Sequence, residues 1–169
     1  QTFDYFMSHE KGEFLWNAKP RFGKTLATYD LCKRLQSTKG DYACNILIVT
    51  NRPAIANSWY EDFVKFIGTE SGFRFVSEVS ALKGKPFVMS REEYTDNLTK
   101  ELADCIEFVS LQDLKGSLYF GGQHDKLKEL VNMQWELLVI DEAHEGVDTS
   151  KTDVAFHQIK RNHTLHLSG

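Results

Sequence analysis

A chain of 169 residues, of which 41% are hydrophobic and 26% charged, has the length and composition of one globular domain. It has no apolar run near the roughly 18 residues of a membrane-spanning helix, no signal peptide and no close cysteine pair, so we expect a reduced, cytoplasmic protein with no membrane partner. The formal net charge of −4 gives no bulk attraction for nucleic acid, so any such contact must be local.

Short apolar runs alternate with segments of helical periodicity along the chain. Continuous or alternating apolar runs predict strands, and apolar residues at i, i+4 and i+8 predict helices. The predicted strands are residues 13–18, 45–50, 73–79, 86–90, 106–110, 136–142 and 164–168. The predicted helices are residues 25–35, 54–67, 91–103, 126–133 and 152–161.

This alternation favours an α/β fold with a mainly parallel central sheet and helices on both faces. The chain carries no internal repeat, no low-complexity segment and no linker rich in proline or glycine. We therefore predict a single domain over residues 1–169. Ligands of such sheets bind beyond the carboxyl ends of the strands, and two unusual stretches, residues 18–25 and 141–144, lie beside predicted strand ends.

The segment A-K-P-R-F-G-K-T, residues 18–25, ends like a phosphate-binding loop but begins differently. Gly23, Lys24 and Thr25 fit the end of the pattern G-x-x-x-x-G-K-[ST], whereas Ala18 occupies the place of its first glycine. Alanine adds only a methyl group, which is tolerated where the backbone avoids positive φ. The segment also lies between a predicted strand and a predicted helix, as the motif requires. A chance Gly-Lys-Thr in a basic turn is the alternative.

The loop predicts a site for ATP and Mg²⁺. Backbone N–H groups and the helix N-terminus would hold the phosphates, and Gly23 would allow the backbone to approach them closely. Lys24 would reach the β- and γ-phosphates, and Thr25 would offer its hydroxyl to Mg²⁺. The predicted nucleotide-binding residues of the loop are Ala18, Lys19, Pro20, Arg21, Phe22, Gly23, Lys24, Thr25 and Leu26.

The segment L-L-V-I-D-E-A-H-E-G, residues 137–146, delivers two carboxylates to the end of an apolar strand. Such carboxylates are costly unless they meet a cation or take part in proton chemistry. Asp141 is placed to hold Mg²⁺ through water, and Glu142 to orient and deprotonate an attacking water, so both join the predicted nucleotide site. His144 would hydrogen-bond a neighbouring segment. The alternatives are a solvated turn and a zinc site, although the H-E-x-x-H spacing of zinc sites is absent.

The order of these motifs resembles the first RecA-like domain of superfamily 2 helicases and translocases, and most of all their DEAD/DEAH-box members of the type III restriction-subunit (Res) kind. Residues 18–25 correspond to motif I, in which that superfamily often has alanine at the first position. V-I-D-E-A-H, residues 139–144, matches motif II. I-L-I-V-T-N-R-P-A-I-A-N-S-W, I-E-F-V-S-L-Q-D-L and L-H-L-S-G occupy the places of motif Ia, of motifs Ib and Ic, and of the start of motif III. The resemblance covers nearly the whole chain and implies a three-layer RecA-like P-loop NTPase fold.

The resemblance also implies ATP hydrolysis. Glu142 would be the catalytic base, and Lys24 would stabilise the transferred phosphate, so both are predicted catalytic residues. Thr25 and Asp141 would hold the Mg²⁺ ion that accompanies ATP.

The resemblance further implies movement along nucleic acid. His144 and Ser168 would link the γ-phosphate site to the nucleic-acid groove. The residues in the places where the family touches the sugar-phosphate backbone are Arg52, Pro53, Ser110 and Gln112. Contacts of this kind use main-chain amides and hydroxyls, which reconciles them with an acidic chain.

We therefore predict the ATP-binding domain of a DNA-dependent ATPase from a type III-like restriction enzyme. A second RecA-like domain, which supplies the arginine finger in the family, would lie in the rest of a larger protein, and the fragment alone would be nearly inactive. Modification or nuclease subunits would be further partners. An RNA helicase domain is the rival of the same fold, and a nucleotide-sensing interaction module without turnover is the rival of another class.

Overall fold

A computed structural model describes residues 1–9, 12–17, 23–51, 55–100, 103–141 and 155–168. Within these residues the strands form one seven-stranded sheet with the order β1-β7-β6-β2-β5-β3-β4, and every pair of neighbours is parallel. The strands are β1 Gly12–Asn17, β2 Asn45–Thr50, β3 Arg74–Val76, β4 Val88–Met89, β5 Cys105–Ser110, β6 Gln134–Asp141 and β7 Lys160–Ser168.

Helices cover both faces of the sheet. They are α1 Thr2–Ser8, α2 Lys24–Ser37, α3 Ala56–Phe63, α4 Thr69–Ser71, α5 Arg91–Lys100, α6 Leu111–Gly116 and α7 Lys128–Asn132. A π-helical turn, Val64–Gly68, joins α3 to α4, and two 3₁₀ turns span Ser80–Leu82 and Leu118–Phe120. None of the described helices is long and apolar enough to cross a membrane.

Strand β2 shows why the central strands read as continuous apolar runs. Ile46 and Ile48 point into one apolar layer, and Leu47 and Val49 point into the other. Since both faces are buried, neither set of alternate positions is exposed to water, and each fully buried aliphatic side chain contributes about 1.5–3 kcal/mol. The result is a three-layer α/β architecture, as predicted.

The two apolar layers differ in chemistry. The layer under α1, α2 and α3 is rich in aromatic residues, and its buried rings are Phe6, Tyr29, Trp59, Tyr60, Phe63, Phe73, Phe75 and Phe108. The layer under α5, α6 and α7 is mainly aliphatic and includes Leu114, Leu130 and Leu138. The layer under α1, α2 and α3 therefore carries most of the ring-to-ring packing among the described residues.

The predicted elements are recovered with three corrections. The helix predicted over 152–161 is wrong at its end, because Lys160 and Arg161 already belong to β7, which is held by backbone pairing with β6. The strands predicted over 73–79 and 86–90 shrink to three and two residues, since they form the thin edge of the sheet and the chain reverses at Phe87, whose φ is 67°. The helices α1, α4 and α6, all short, were not predicted.

Candidate nucleotide site

The carboxyl ends of four strands meet at one edge of the sheet. Asn17 at the end of β1 pairs with Ser168 at the end of β7. Asp141 at the end of β6 pairs with Thr50 of β2 on one side and with Leu167 of β7 on the other. The predicted phosphate loop follows β1 in the sequence, and the helix after it, α2, begins beside Asp141.

Gly23 begins the helix that follows the loop. Its φ of 62° is left-handed, and Ala27 donates its N–H to the Gly23 carbonyl at 2.8 Å to close the first turn. A side chain at this φ would strain the backbone, although the space around the Cα is open. The glycine is thus required by backbone conformation, and α2 presents the N-terminus of a 14-residue helix to the site.

Lys24 and Asp141 form an ion pair across this edge. Lys24 Nζ donates to Asp141 Oδ1 at 3.0 Å, and the side chains are 23% and 8% exposed. Lys24 is the first residue of α2, and Thr28 of the next turn donates its hydroxyl to the Lys24 carbonyl at 2.7 Å. Two residues that the motifs single out, 117 positions apart in the chain, are therefore in direct contact.

Trp59 holds the other oxygen of the same carboxylate, a contact that the sequence reasoning missed. The Trp59 indole N–H donates to Asp141 Oδ2 at 3.3 Å, and Trp59 is 2% exposed. The Tyr29 hydroxyl donates in turn to the Trp59 carbonyl. Burial raises the pKa of Tyr29 well above its usual value, so this hydroxyl remains a donor. The available signal was that a buried indole N–H requires an acceptor.

The remaining predicted residues of the loop and motif II are only partly visible. Residues 18–22, Glu142 and His144 lie outside the described residues, as do Arg52 and Pro53. Thr25 is half-buried in the first turn of α2, and Leu26 is exposed. The roles of these side chains stay predictions, as does that of Ser168, whose backbone alone is described.

The two predicted nucleic-acid residues that are described lie on β5 and α6. Ser110 is buried, and its Oγ accepts a hydrogen bond from the N–H of Asp113, so it caps α6. It also lines a cleft of about 260 Å³ with Ser77 and Arg91. Gln112 is exposed on the first turn of α6. The carboxyl ends of β3 and β5 therefore present the hydroxyl groups of Ser77 and Ser110 and, nearby, the exposed amide of Gln112.

The cysteines have no chemistry at this site. Burial raises the pKa of the Cys32 thiol well above its usual value, and the pKa values of Cys44 and Cys105 rise to about 12, in both cases chiefly through burial. All three are buried, and none of them forms a disulfide bond. They are therefore protonated core thiols at neutral pH.

The comparisons with known proteins agree with the motifs. The family model described as type III restriction enzyme, res subunit (ResIII), matches residues 6–169. The chain belongs to this family. The resemblance drawn from motifs I and II is confirmed, and the parallel sheet with its flanking helices is the RecA-like fold of helicase-type ATPase domains.

This ResIII domain is also similar to several larger proteins. A putative type II restriction enzyme and methyltransferase of Mycoplasma pneumoniae is 24% identical over 163 residues, which cover 93% of the chain and 20% of that protein. A nuclease-deletion mutant of the type ISP restriction-modification enzyme LlaGI, solved with a DNA substrate mimic, aligns with a TM-score of 0.67 at 15% identity, over 98% of the chain and 16% of that enzyme.

Two further structures share the fold. The SWI2/SNF2 ATPase core of Sulfolobus solfataricus, in complex with double-stranded DNA, aligns with a TM-score of 0.63 at 19% identity, over 99% of the chain and 29% of the other. The UvsW helicase of bacteriophage T4 aligns with a TM-score of 0.57 at 14% identity, over 98% and 50%. The ResIII domain thus spans between about a sixth and half of the proteins it resembles.

The described residues are suited to a Mg²⁺ ion that is bound together with a nucleotide. They contain no group of three or more histidine, cysteine or acidic side chains able to hold a metal. Mg²⁺ bound with a nucleotide needs fewer protein ligands, because it keeps several waters and uses one or two carboxylates with the phosphates. Asp141 provides a buried carboxylate, and Thr25 provides a hydroxyl from the adjacent helix turn.

Proposed function

We propose that this ResIII domain binds ATP with Mg²⁺ and, within a longer protein, hydrolyses ATP while that protein acts on DNA as part of a type III-like restriction enzyme. The observation that carries the proposal is the Lys24–Asp141 contact of 3.0 Å at the N-terminus of α2. A lysine and a carboxylate from the two motifs of a phosphate site meet where parallel sheets bind ligands.

The proposed chemistry begins with exchange of partners. Lys24 leaves the Asp141 carboxylate for the β- and γ-phosphates, where a flexible cation at a helix N-terminus stabilises negative charge. Asp141 is then free to bind Mg²⁺, directly or through water, together with the Thr25 hydroxyl. Mg²⁺ held there would supply positive charge to neutralise the phosphate oxygens. Glu142 orients and deprotonates the attacking water, and an arginine of a second RecA-like domain completes the site.

DNA is the proposed partner on two grounds. The LlaGI and Sulfolobus structures, which share the fold, were solved with a DNA substrate mimic and with double-stranded DNA. In this chain, two of the residues predicted to touch the sugar-phosphate backbone, Ser110 and Gln112, lie at the carboxyl end of β5 and on the first turn of α6. RNA is the alternative, and a binding titration with DNA and RNA strands of matched sequence separates them. Preference for RNA would overturn the DNA assignment.

The longer protein is part of the proposal. Restriction enzymes among the similar proteins are several times longer than the chain, which covers 20% of one and 16% of another. The second RecA-like domain and the nuclease or modification parts would lie in the remaining length, in a cytoplasmic enzyme. Without the arginine finger, which is worth roughly 10³ to 10⁵ in rate, the 169-residue chain alone would bind ATP and turn it over very slowly.

The test compares two lysines of the chain by calorimetry with ATP and Mg²⁺. Lys24→Ala should weaken binding about 10-fold or more, since a charge-assisted contact to phosphate is lost, worth roughly 1.5–3 kcal/mol. Lys39→Ala is the matched control, because Lys39 makes an ion pair of the same 3.0 Å length with Glu136. It should bind ATP like the unmodified chain. Equal affinity in all three proteins would remove the phosphate-loop assignment.

A further inference from the structure

We infer that Trp59 is a positioning residue for the metal-binding carboxylate: its indole N–H fixes Asp141 so that the other oxygen, Oδ1, faces the nucleotide. This inference rests on the proposed function, since it concerns how Asp141 meets Mg²⁺. It assigns to α3 a role at the site that neither motif I nor motif II contains.

The geometry divides the two oxygens of one carboxylate between two donors. Lys24 Nζ lies 3.0 Å from Oδ1, and Trp59 Nε1 lies 3.3 Å from Oδ2. The two donors come from different helices, α2 and α3, and approach the end of β6. Trp59 and Asp141 are 2% and 8% exposed, so little water competes for the indole bond.

The two donors differ in charge, and this difference decides which one can remain during function. A lysine neutralises the carboxylate and would oppose a metal ion on it, so Lys24 has to leave. An indole N–H is neutral and orients the carboxylate while leaving its negative charge available to a cation. The Trp59 bond is therefore compatible with Mg²⁺ on Oδ1, whereas the Lys24 bond is not.

The indole is fixed by its surroundings. Its ring meets Tyr29 edge-on, with the centroids 5.6 Å apart, and packs against Phe108 at 6.4 Å. The Tyr29 hydroxyl also binds the Trp59 carbonyl, which ties α3 to α2. A ring fixed in this way holds the carboxylate rigidly, which is what the hydrogen-bonding partners of metal ligands do.

Packing alone does not account for an indole at this position. The neighbouring rings of the same layer, Phe63, Phe75 and Phe108, fill their space without a polar atom. At Trp59 the ring carries an N–H whose acceptor is a buried motif II carboxylate. A phenylalanine would retain much of the packing and lose the donor, so the two contributions are separable by substitution.

The test compares Trp59→Phe with Trp135→Phe. Trp135 is also fully buried, lies on the same strand as Asp141, and donates its indole N–H to the Leu130 carbonyl at 3.2 Å. For each protein, ADP binding is measured by calorimetry over a series of Mg²⁺ concentrations and in the presence of EDTA. ADP replaces ATP so that turnover has no influence.

In Trp59→Phe, the Mg²⁺ concentration for half-maximal ADP binding should rise about 10-fold, the lower end of losses seen when a metal ligand loses its hydrogen-bonding partner. Its ADP affinity in EDTA should equal that of the unmodified chain. Trp135→Phe should lose thermal stability without a change in the Mg²⁺ requirement. An unchanged Mg²⁺ requirement in a folded Trp59→Phe protein would overturn the inference, as would an equal rise in Trp135→Phe.

A measurement on the unmodified chain covers the case in which Trp59→Phe does not fold. The indole N–H signals in a ¹H–¹⁵N spectrum are assigned with Trp16→Phe and Trp135→Phe. On addition of Mg²⁺ and ADP, the Trp59 signal should shift and its N–H should remain protected from exchange with solvent. An unshifted signal, or rapid exchange in the complex, would contradict the inference.

The Asp141→Asn and Lys24→Ala variants separate this inference from the proposed function. If both bind ADP with Mg²⁺ normally, the proposed function itself is wrong. If both lose Mg²⁺-dependent binding while Trp59→Phe retains it, the nucleotide site stands and the role of Trp59 does not.

Discussion

Strand β6 forms the same kind of ion pair near each of its ends, with Lys24 at the start of α2 and with Lys39 just beyond the end of α2. At the carboxyl end of β6, Lys24 lies 3.0 Å from Asp141, and near the amino end Lys39 lies 3.0 Å from Glu136. The lysine side chains are 23% and 27% exposed, and the carboxylates 8% and 7%. Distance and burial are thus the same for both pairs, so neither quantity distinguishes a ligand site from a structural contact.

The surroundings of the two carboxylates do distinguish them. Glu136 Oε2 accepts a second hydrogen bond from Asn162, and its Oε1 faces His163 at 3.8 Å. Burial lowers the pKa of His163, and its Nδ1 accepts from the N–H of Gly12, so this histidine is neutral and its Nε2 proton points toward Glu136. All of these partners belong to the chain itself, so Glu136 needs no external cation to balance its charge.

Asp141 has different partners. One oxygen meets a lysine at the start of a helix and the other a neutral indole N–H, so removal of Lys24 leaves an oriented carboxylate ready for a cation. The comparison indicates that a carboxylate belongs to a ligand site when one of its hydrogen-bond donors can leave it to make room for a cation. The predictions below test this contrast between the two ends of β6.

The largest effect is expected on turnover, at the residue next to Asp141. In the full-length enzyme, Glu142→Gln should lower the rate of ATP hydrolysis about 10²- to 10⁴-fold and leave ATP affinity unchanged, because glutamine keeps the shape and removes the base. Glu136→Gln, the control at the other end of the strand, should retain the rate. Phosphate release and nucleotide binding are measured on both. A normal rate in Glu142→Gln would place the base elsewhere, and a loss of binding would make Glu142 a metal or structural residue.

A smaller effect is expected on stability. Here the residue at the amino end of β6, Glu136, should matter for stability and not for nucleotide binding. Glu136→Ala should lower the free energy of unfolding by about 2 kcal/mol, since it leaves Lys39, which is only partly exposed, without its partner. Its ADP binding with Mg²⁺ should be normal, whereas Asp141→Ala should lose that binding. Urea denaturation followed by circular dichroism gives the first quantity and calorimetry the second. Weakened ADP binding in Glu136→Ala would contradict the claim that the Lys39–Glu136 pair is structural and the Lys24–Asp141 pair belongs to the nucleotide site.

The smallest effect concerns a third buried carboxylate, Glu107 on β5, whose Arg91 partner lies at 3.2 Å. Burial and the nearby Glu129 raise the pKa of Glu107 well above 4.5, against the opposing effect of Arg91. A pKa raised by folding gives stability that is full at low pH and is lost as pH rises through the folded value. Through this residue the chain should therefore lose part of its stability as pH rises from the ordinary pKa of a glutamate toward the higher folded value.

The measurement for Glu107 is the difference in stability between the unmodified chain and Glu107→Gln as a function of pH. The difference is needed because His163, whose pKa is lowered, contributes in the opposite direction: its stabilisation is lost as pH falls below its ordinary value of 6.5. Glu107→Gln should gain relative stability as pH rises. A difference that does not change with pH would show that Arg91 keeps Glu107 ionised in the folded state.

The sequence predicted the parts of the molecule that depend on local pattern. The apolar run at 45–50 coincides with β2, because a strand buried on both faces contains no polar position. The sequence also assigned Lys24 and Asp141 to one site, since parallel strands bring the segments after them to one edge, but it did not predict their direct contact. Trp59 lies within the helix predicted over residues 54–67, and it is buried in the core.

Partners contributed by other elements could not be predicted. The bond from Trp59 to Asp141 depends on how α3 packs against β6, and the Lys39–Glu136 pair depends on where the chain leaves α2. Neither pair has a spacing or motif that marks it in the sequence. The end of the last predicted helix was also misplaced, because pairing with β6 extends β7 back to Lys160.

The most direct test of the contrast is a crystal structure of the chain with ADP and Mg²⁺. We expect Lys24 Nζ to move from Asp141 Oδ1 onto the nucleotide phosphates, with Mg²⁺ near Asp141, while Lys39 remains on Glu136 and Trp59 remains on Asp141 Oδ2. A structure in which ADP and Mg²⁺ are bound and the Lys24–Asp141 pair is still intact would contradict this account.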